Sequence, residues 1–387
     1  MSESLSQQLA LLLPGFSVAA GVAWLMVHTR DFHIHLTGDD PSGGPQKLHS
    51  EAIPRIGGLA ILAGVTVQVI WLYFMASTEV QTSLHAIKPL FLALGLLPLF
   101  VLGVIEDIRQ AVSVKFRLGM SLVAGGIACF LAGVRVENLG LSFVDSLIHS
   151  LPLLALVFPP LFTMVAVAGL VHAMNIVDGL NGLLAGMSLV VLGVLAAVSD
   201  SYGEHGLTLL ALAGMAGTAG FGLFNFPRAR IFCGDAGAYL LGYLIAVIAI
   251  LLVLRQPAIS PWFALAVIAH PVTETLYSVW RRYRMGLSPT HPDARHMHSL
   301  WAIKLRQHGL ETDEAVWLGV NAGASWRTLA VASSPTLVAV TIPTHATALQ
   351  ILCVAYLGVF FVTMRLLERA AGAEVSGSAM AVPDEAL

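Results

Sequence analysis

Read from the N-terminus, the chain alternates long, unbroken apolar stretches with short polar connections. Eleven stretches approach the roughly 20 apolar residues that a helix needs to cross the hydrocarbon layer. They are Leu9–Val27, Ile56–Met75, Pro89–Ile105, Leu118–Val134, Leu151–Leu170, Leu183–Val198, Leu207–Phe224, Ala236–Leu254, Trp262–Trp280, Leu329–Ile342 and Ala348–Leu366. The tenth is short and contains Ser333-Ser334-Pro335, and a start nearer Val316 would lengthen it. The runs are continuous, not the alternating runs of a membrane barrel. Only helices and closed barrels satisfy their backbone groups in lipid. The pattern therefore predicts an all-α, polytopic membrane helical bundle of about eleven transmembrane helices, or ten if the tenth stretch is not a span.

Composition agrees. Charged residues make up 11% of the chain and hydrophobic residues 57%, with a mean hydropathy of +0.80; a soluble domain carries about 25% charged residues. The first stretch lacks a basic lead-in and a clear small-residue cleavage site, so it reads as a retained span and not a signal peptide. Cys129, Cys233 and Cys353 all lie in or beside spans and form no spaced set, which indicates neither a disulfide framework nor a zinc site. No internal repeat is evident. Residues 1–369 read as one integral membrane domain. The tail 370–387, rich in Ala, Gly, Ser and Glu, reads as disordered.

Charge placement orients the bundle. With eleven spans, 17 of the 20 Lys and Arg residues fall on one side. The positive-inside rule makes that side cytoplasmic, with the N-terminus outside and the C-terminus inside. Six polar clusters then share the cytoplasmic face: Lys47 to Gly58, Glu106-Asp107 with Lys115, Asn175 to Gly179, Asn225 to Pro227, Gly234-Asp235, and Arg281 to His298.

Each cluster has a chemical and a plain reading. Asp235, flanked by Gly234 and Gly237 where a loop enters the eighth span, suits close approach to a metal or phosphate; it also suits a helix N-cap. Asn175 and Asp178 offer oxygen donors fit for Mg²⁺, or a simple turn. Glu106-Asp107 ends the third span, where ionisable groups are costly and one of two adjacent acids can act as a base; two solvated acids at a helix end is the plain alternative. Lys115, Arg117 and the basic residues of Lys47 to Arg55 could hold phosphate or anchor the interface. The arginines and histidines of Arg281 to His298 fit diphosphate recognition better than zinc, because no helix-spaced His set or cysteine partner accompanies His296 and His298. Mg²⁺-assisted phosphoryl transfer explains the whole set more economically than six separate accidents.

Five of these motifs, in order over Lys47 to His298, resemble the polyprenyl-phosphate N-acetylhexosamine-1-phosphate transferase family. They are Lys47 with Ile53-Pro54-Arg55-Ile56-Gly57-Gly58; Glu106-Asp107 with Lys115; Asn175-Ile176-Val177-Asp178-Gly179-Leu180-Asn181-Gly182; Phe232-Cys233-Gly234-Asp235-Ala236-Gly237; and Ser288-Pro289 with Asp293 and His296-Met297-His298. The resemblance implies a multi-pass enzyme of the bacterial inner membrane with its site on the cytoplasmic face. It implies transfer of sugar 1-phosphate from a UDP-N-acetylhexosamine to a polyprenyl phosphate, with release of UMP. Mg²⁺ is the implied cofactor, with Mn²⁺ as a substitute. Asp235, Asn175 and Asp178 are the implied metal contacts, and Asp107 or Glu106 the residue that deprotonates or positions the lipid phosphate. Asn181 and Phe232 would recognise uracil, while Lys47, Lys115, Arg295, His296 and His298 would contact diphosphate or sugar. No nucleic acid is implied as a partner, and apolar surfaces between helices would allow a homodimer.

Three positions depart from the family pattern. Glu106 stands where the family usually has Asp, which favours Asp107 as the base. Asn181 replaces an acid, and Ser299 replaces a further histidine. The missing third histidine favours the branch that starts O-antigen, exopolysaccharide or similar surface glycans over the phospho-N-acetylmuramoyl-pentapeptide transferase of peptidoglycan synthesis. A transporter would place its polar site near the midplane, often within inverted repeats, and neither pattern is evident.

Overall fold

A computed structural model of the chain describes residues 5–39, 52–288, 295–306 and 314–378. The helices run α1 Leu5–His28, α2 Arg30–Thr37, α3 Gly57–Met75, α4 Thr78–Ala86, α5 Pro89–Arg109, α6 Val114–Ile127, α7 Ser142–Ser150, α8 Pro152–Val177, α9 Leu183–Ser201, α10 His205–Asn225, α11 Gly234–Arg255, α12 Pro261–Val267, α13 Ala269–Arg284, α14 Met297–Arg306, α15 Glu314–Ala339 and α16 Ala346–Ser378. The protein is a polytopic membrane helical bundle, and each of the eleven apolar stretches falls on helix.

Among the described residues, eight helices are long and apolar enough to cross a membrane, and a ninth span arises if α1 and α2, bent by 87° at Thr29, count as one. The difference from eleven lies in the ninth and tenth stretches. The ninth is broken at Ile268 into α12 and α13, and α13 carries Glu274, Arg281, Arg282 and Arg284. The tenth belongs to α15, which begins at Glu314 and is diluted by Asn321, Arg327 and several Ser and Thr residues. Two further details differ from expectation. A two-stranded antiparallel ladder pairs β1 (Gly38–Asp39) with β2 (Ile53–Pro54). Helix α16 also continues past residue 369 to Ser378.

The centre of the bundle is α11. Its sequence has no polar face beyond the first turn, the pattern of a helix buried on all sides, and it packs against α3, α5, α8, α9 and α10. Small residues permit close approach. A Cβ on Gly103 of α5 would run into the backbone of Ala236, and one on Gly58 of α3 into the backbone of Gly237. The N-terminal turn of α11 is thus wedged between α5 and α3. Its far end is held separately, where Glu204 accepts from Arg255 Nε at 2.7 Å and from Gln256 Nε2 at 2.8 Å. The two clamps fix the axial position of α11, and with it the position of Asp235.

Candidate active site

The segments that surround the start of α11 are pinned by backbone pairing. Phe232 N donates to Pro54 O at 2.8 Å, Gly57 N to Phe232 O at 2.9 Å and Gly58 N to Cys233 O at 2.9 Å. This short ladder sets Arg55 beside Asp235. Cys233 precedes the first turn of α11; Asp235 lies inside that turn and does not cap it. The cap comes from another helix. Asp107, 1% exposed near the end of α5, accepts from Asp235 N at 2.7 Å through Oδ1 and from Ala236 N at 3.1 Å through Oδ2. Two of the orphan amides of a helix N-terminus are thereby satisfied by a carboxylate, whose charge also suits the helix dipole.

Asp235 is the hub. Its Oδ1 accepts from Asn175 Nδ2 at 3.0 Å and from Arg55 Nη2 at 3.4 Å. Its Oδ2 accepts from Tyr239 OH at 3.1 Å and from Arg117 Nη1 at 3.3 Å. Arg55 also lies 3.3 Å from Asp39 and 3.9 Å from Asp107. Burial works against the charge on Arg55, but Asp235, Asp107 and Asp39 outweigh it and lift the guanidinium above its ordinary value. Arg117 bridges Asp235 and Glu106, the latter at 3.5 Å. Ser113 N-caps α6 by accepting from Phe116 N, so Arg117 sits in the first turn, directed back at α5. Glu106 folds over the turn that ends α5, and its Oε2 accepts from Val112 N at 2.8 Å.

The loop after α8 completes the centre. Asp178 follows the last residue of α8 and is half-buried, and among the described residues its carboxylate has no hydrogen-bond partner. Burial pushes it up to about 7, with Arg55 opposing and Asp235 adding to the rise. Cys233 is held far above its ordinary value by burial and by the neighbouring carboxylates, which makes it a neutral thiol and not a nucleophile. Asn181 is turned to structural use: its N–H donates to Asn321, its amide nitrogen donates to Pro227 O at 2.9 Å, and its carbonyl accepts from Ser325. Asn225 accepts from Gly182 N at 2.7 Å and donates to Ile231 O.

The histidine segment reaches the same place. His298, in the first turn of α14, packs against Gly179, where a Cβ would collide with its ring. Its ring is parallel to that of His296, with centroids 5.5 Å apart and planes at 4°. Burial and the neighbouring His296 push His298 down to about 3, so it is neutral in ordinary buffers. Arg281 Nη1 donates to Arg295 O at 2.8 Å, while the Arg295 residue itself is exposed. The described parts of the six polar clusters are therefore gathered at one end of the bundle.

Of the expected site residues, Asp235, Asn175, Glu106 and Asp107 form one connected network, with Asp178 beside it. Phe232 is half-buried in the loop paired to Pro54 and Gly57. Lys115 is exposed at the start of α6. Lys47, Pro289 and Asp293 lie outside the described residues. Asp39, Tyr239 and the bridging roles of Arg55 and Arg117 emerge only in three dimensions. Tyr239 follows Asp235 by four residues and so shares its helix face. The described residues hold no group of three or more His, Cys, Asp or Glu side chains arranged for a metal. Mg²⁺ needs less from protein: one or two carboxylates, with water and phosphate filling its shell. The unpartnered Asp178 carboxylate beside Asp235 and Asn175 fits that requirement.

A polytopic membrane protein with acids, guanidiniums and amides gathered at the start of its central helix has the architecture of a membrane enzyme that handles phosphates. The sequence profile of glycosyl transferase family 4 matches residues 89–253. The chain is 30% identical over 264 residues to a probable undecaprenyl-phosphate N-acetylglucosaminyl 1-phosphate transferase of Bacillus subtilis, covering 67% of this chain and 68% of that one. It is 31% identical over 262 residues to the undecaprenyl-phosphate alpha-N-acetylglucosaminyl 1-phosphate transferase of Yersinia pestis, covering 66% and 67%. The protein of the same description from Escherichia coli K12 is 30% identical over 264 residues, 66% of either chain. This chain belongs to glycosyl transferase family 4.

Proposed function

We propose that this protein transfers N-acetylhexosamine 1-phosphate from a UDP-sugar, UDP-GlcNAc or a related UDP-HexNAc, to undecaprenyl phosphate. UMP is released, and the step initiates O-antigen, exopolysaccharide or another surface glycan. The observation that carries this reading is the Asp235 carboxylate held by two guanidiniums, Arg55 and Arg117, at a helix N-terminus. Such a centre can exchange its internal ion pairs for contacts with a diphosphate. In this reading the site faces the cytoplasm at the bacterial inner membrane, the side to which the eleven-span reading of the sequence assigns 17 of the 20 Lys and Arg residues.

In the reaction an oxygen of the lipid phosphate attacks the β-phosphorus of the UDP-sugar. The bond from that phosphorus to the oxygen bridging to the α-phosphate breaks, and UMP leaves with the bridging oxygen and its electron pair. Asp235, Asn175 and Asp178 would hold Mg²⁺, which when bound spreads the charge that develops on the transferring phosphoryl group. Arg55 and Arg117 turn from the carboxylates to the phosphates. Glu106, partly exposed and beside Arg117, takes the proton of a monoprotonated lipid phosphate, whose second pKa is about 6. Asp107 has spent both oxygens on α11 and positions Asp235. Phe232 stacks on uracil. An apolar cavity of about 440 Å³ between α8, α11, α12 and α13, lined by Phe162, Leu170, Ile250, Trp262 and Leu276 among others, accommodates part of the prenyl tail. UMP release by the purified protein tests the reading. It should require undecaprenyl phosphate, stop with EDTA and return with Mg²⁺ or Mn²⁺. No release from a panel of UDP-HexNAc donors, by folded protein, contradicts it.

A further inference from the structure

Glu274 lies in the middle of α13, within the ninth apolar stretch, and is fully buried at 0% exposure. A carboxylate at such a position is costly unless donors satisfy it. The donors come from the start of α14. His296 Nδ1 lies 3.0 Å from Glu274 Oε1, and Met297 N donates to both carboxylate oxygens at 3.4 Å. Ser278, one turn further along α13, lies 3.4 Å from the same His296 nitrogen. The groups that face this centre are His270 one turn back on α13, with its Nδ1 2.7 Å from Tyr356 OH of α16, and His298 stacked on His296. The Glu274 carboxylate and the His296 ring form an acid–imidazole pair.

We infer that Glu274 is a positioning residue that fixes the tautomer and orientation of His296 toward the phosphates of the sugar donor. A carboxylate that also accepts from Met297 N takes the proton of His296 Nδ1 as a hydrogen bond, and so leaves Nε2 as the ring nitrogen that exchanges its proton. The same carboxylate ties down the first turn of α14, whose His298 rests on Gly179 beside Asp178. Glu274 thus couples α13 to the histidine segment and to the loop of Asn175 and Asp178. Its part in phosphoryl transfer rests on the reaction proposed above; its effect on the His296 ring does not.

The test has two arms. In the first, ¹⁵N spectra of histidine-labelled protein are recorded without substrate, and the His296 signal is assigned by its loss in His296→Gln. The expected result is an Nδ1-protonated ring whose Nδ1 signal moves in Glu274→Gln. An Nδ1 without a proton, or a signal indifferent to Glu274→Gln, overturns the inference even if no turnover is seen. In the second arm, kcat is measured for Glu274→Gln, His296→Gln and the double variant, together with thermal stability. Each single change should lower kcat at least tenfold, and the double variant should fall no further than the worse single one. Multiplicative losses, or a loss that follows thermal stability alone, would mean that Glu274 does not act through His296. Glu274→Asp, which keeps the acid, should recover part of the activity that Glu274→Gln loses. A wild-type protein that releases no UMP counts against the proposed reaction and leaves the first arm to decide on Glu274.

Discussion

The backbone N–H of Asp235 donates a 2.7 Å hydrogen bond to Oδ1 of Asp107. One acid of the Glu106-Asp107 pair therefore serves as the cap of the helix that carries the hub carboxylate. The two neighbours in sequence have separate tasks: Asp107 is buried against α11, and Glu106 faces Arg117 at the edge of the site. The sequence pattern favours Asp107 as the base, because the family usually has Asp at both places. In the structure Asp107 is 1% exposed with both oxygens on the amides of α11, whereas Glu106 is partly exposed, and base work falls to Glu106 in the mechanism proposed here.

The two acids should separate by experiment. Asp107→Ala removes a cap, a change that costs about 0.5–2 kcal/mol, and it leaves Arg55 short of a partner. Both melting temperature and kcat should fall. Glu106→Gln keeps the acceptor for Val112 N and should retain the wild-type melting temperature while kcat drops about 10²-fold or more. The reverse pattern, an unstable Glu106→Gln and a stable but inactive Asp107→Asn, would return the base to Asp107.

Arg117 should not tolerate lysine. Its Nη1 reaches both Glu106 and Asp235, at 3.5 and 3.3 Å, and lysine replaces the planar, weakly hydrated guanidinium with a compact, strongly hydrated charge on a flexible stem. Hydrogen bonds to charged groups contribute about 1.5–3 kcal/mol, so Arg117→Lys should lower kcat/KM by roughly 10- to 100-fold. Initial rates over both substrates check this; an unchanged kcat/KM would show that the bridge has no part in turnover.

Gly103 faces the backbone of Ala236, and a methyl group there has nowhere to go without a shift of α11. Gly103→Ala should move Asp235 relative to Arg117 and reduce activity more than Gly119→Ala, at a glycine whose added Cβ meets nothing within 4 Å. Equal activity of the two variants would show that the wedge is not needed to place Asp235.

The neutral His298 gives a pH dependence of stability. Its ordinary value of 6.5 falls to about 3 in the folded protein, chiefly through burial. Below pH 6.5 the unfolded chain binds a proton that the folded chain refuses, so stability is lost as pH falls, by on the order of 1 kcal/mol per pH unit. Thermal unfolding between pH 7.5 and about 5 should show this loss, and His298→Gln should flatten it. A slope that is the same in the variant would assign the effect to other groups.

Much of the fold is legible in the sequence because lipid imposes a simple code: long apolar runs become helices, and cations mark one face. The same code fails where function intrudes. Glu274 breaks the apolar ninth stretch, and Ile268 divides that stretch into two helices. An acid inside an apolar run is itself the signal that points to it. Asp235, Asn175 and Glu106 are legible from motif and position. The bridging by Arg55 and Arg117 is not, since it depends on how α3, α5, α6 and α11 pack, with Arg55 and Asp235 180 positions apart in the chain. Nor is the bond from Asn181 Nδ2 to Pro227 O, which joins two loops 46 positions apart, legible from the motif.

The central claim is that the β-phosphate of the donor travels with the sugar to the lipid, at a centre built on Asp235. UDP-GlcNAc labelled with ³²P at the β-phosphate tests it directly, with undecaprenyl phosphate, Mg²⁺, and either wild-type protein or Asp235→Asn. The account predicts label in the organic-extractable lipid product and unlabelled UMP in the aqueous phase, with the transfer lost in Asp235→Asn. Label retained on the nucleotide, or full transfer by Asp235→Asn, would contradict it.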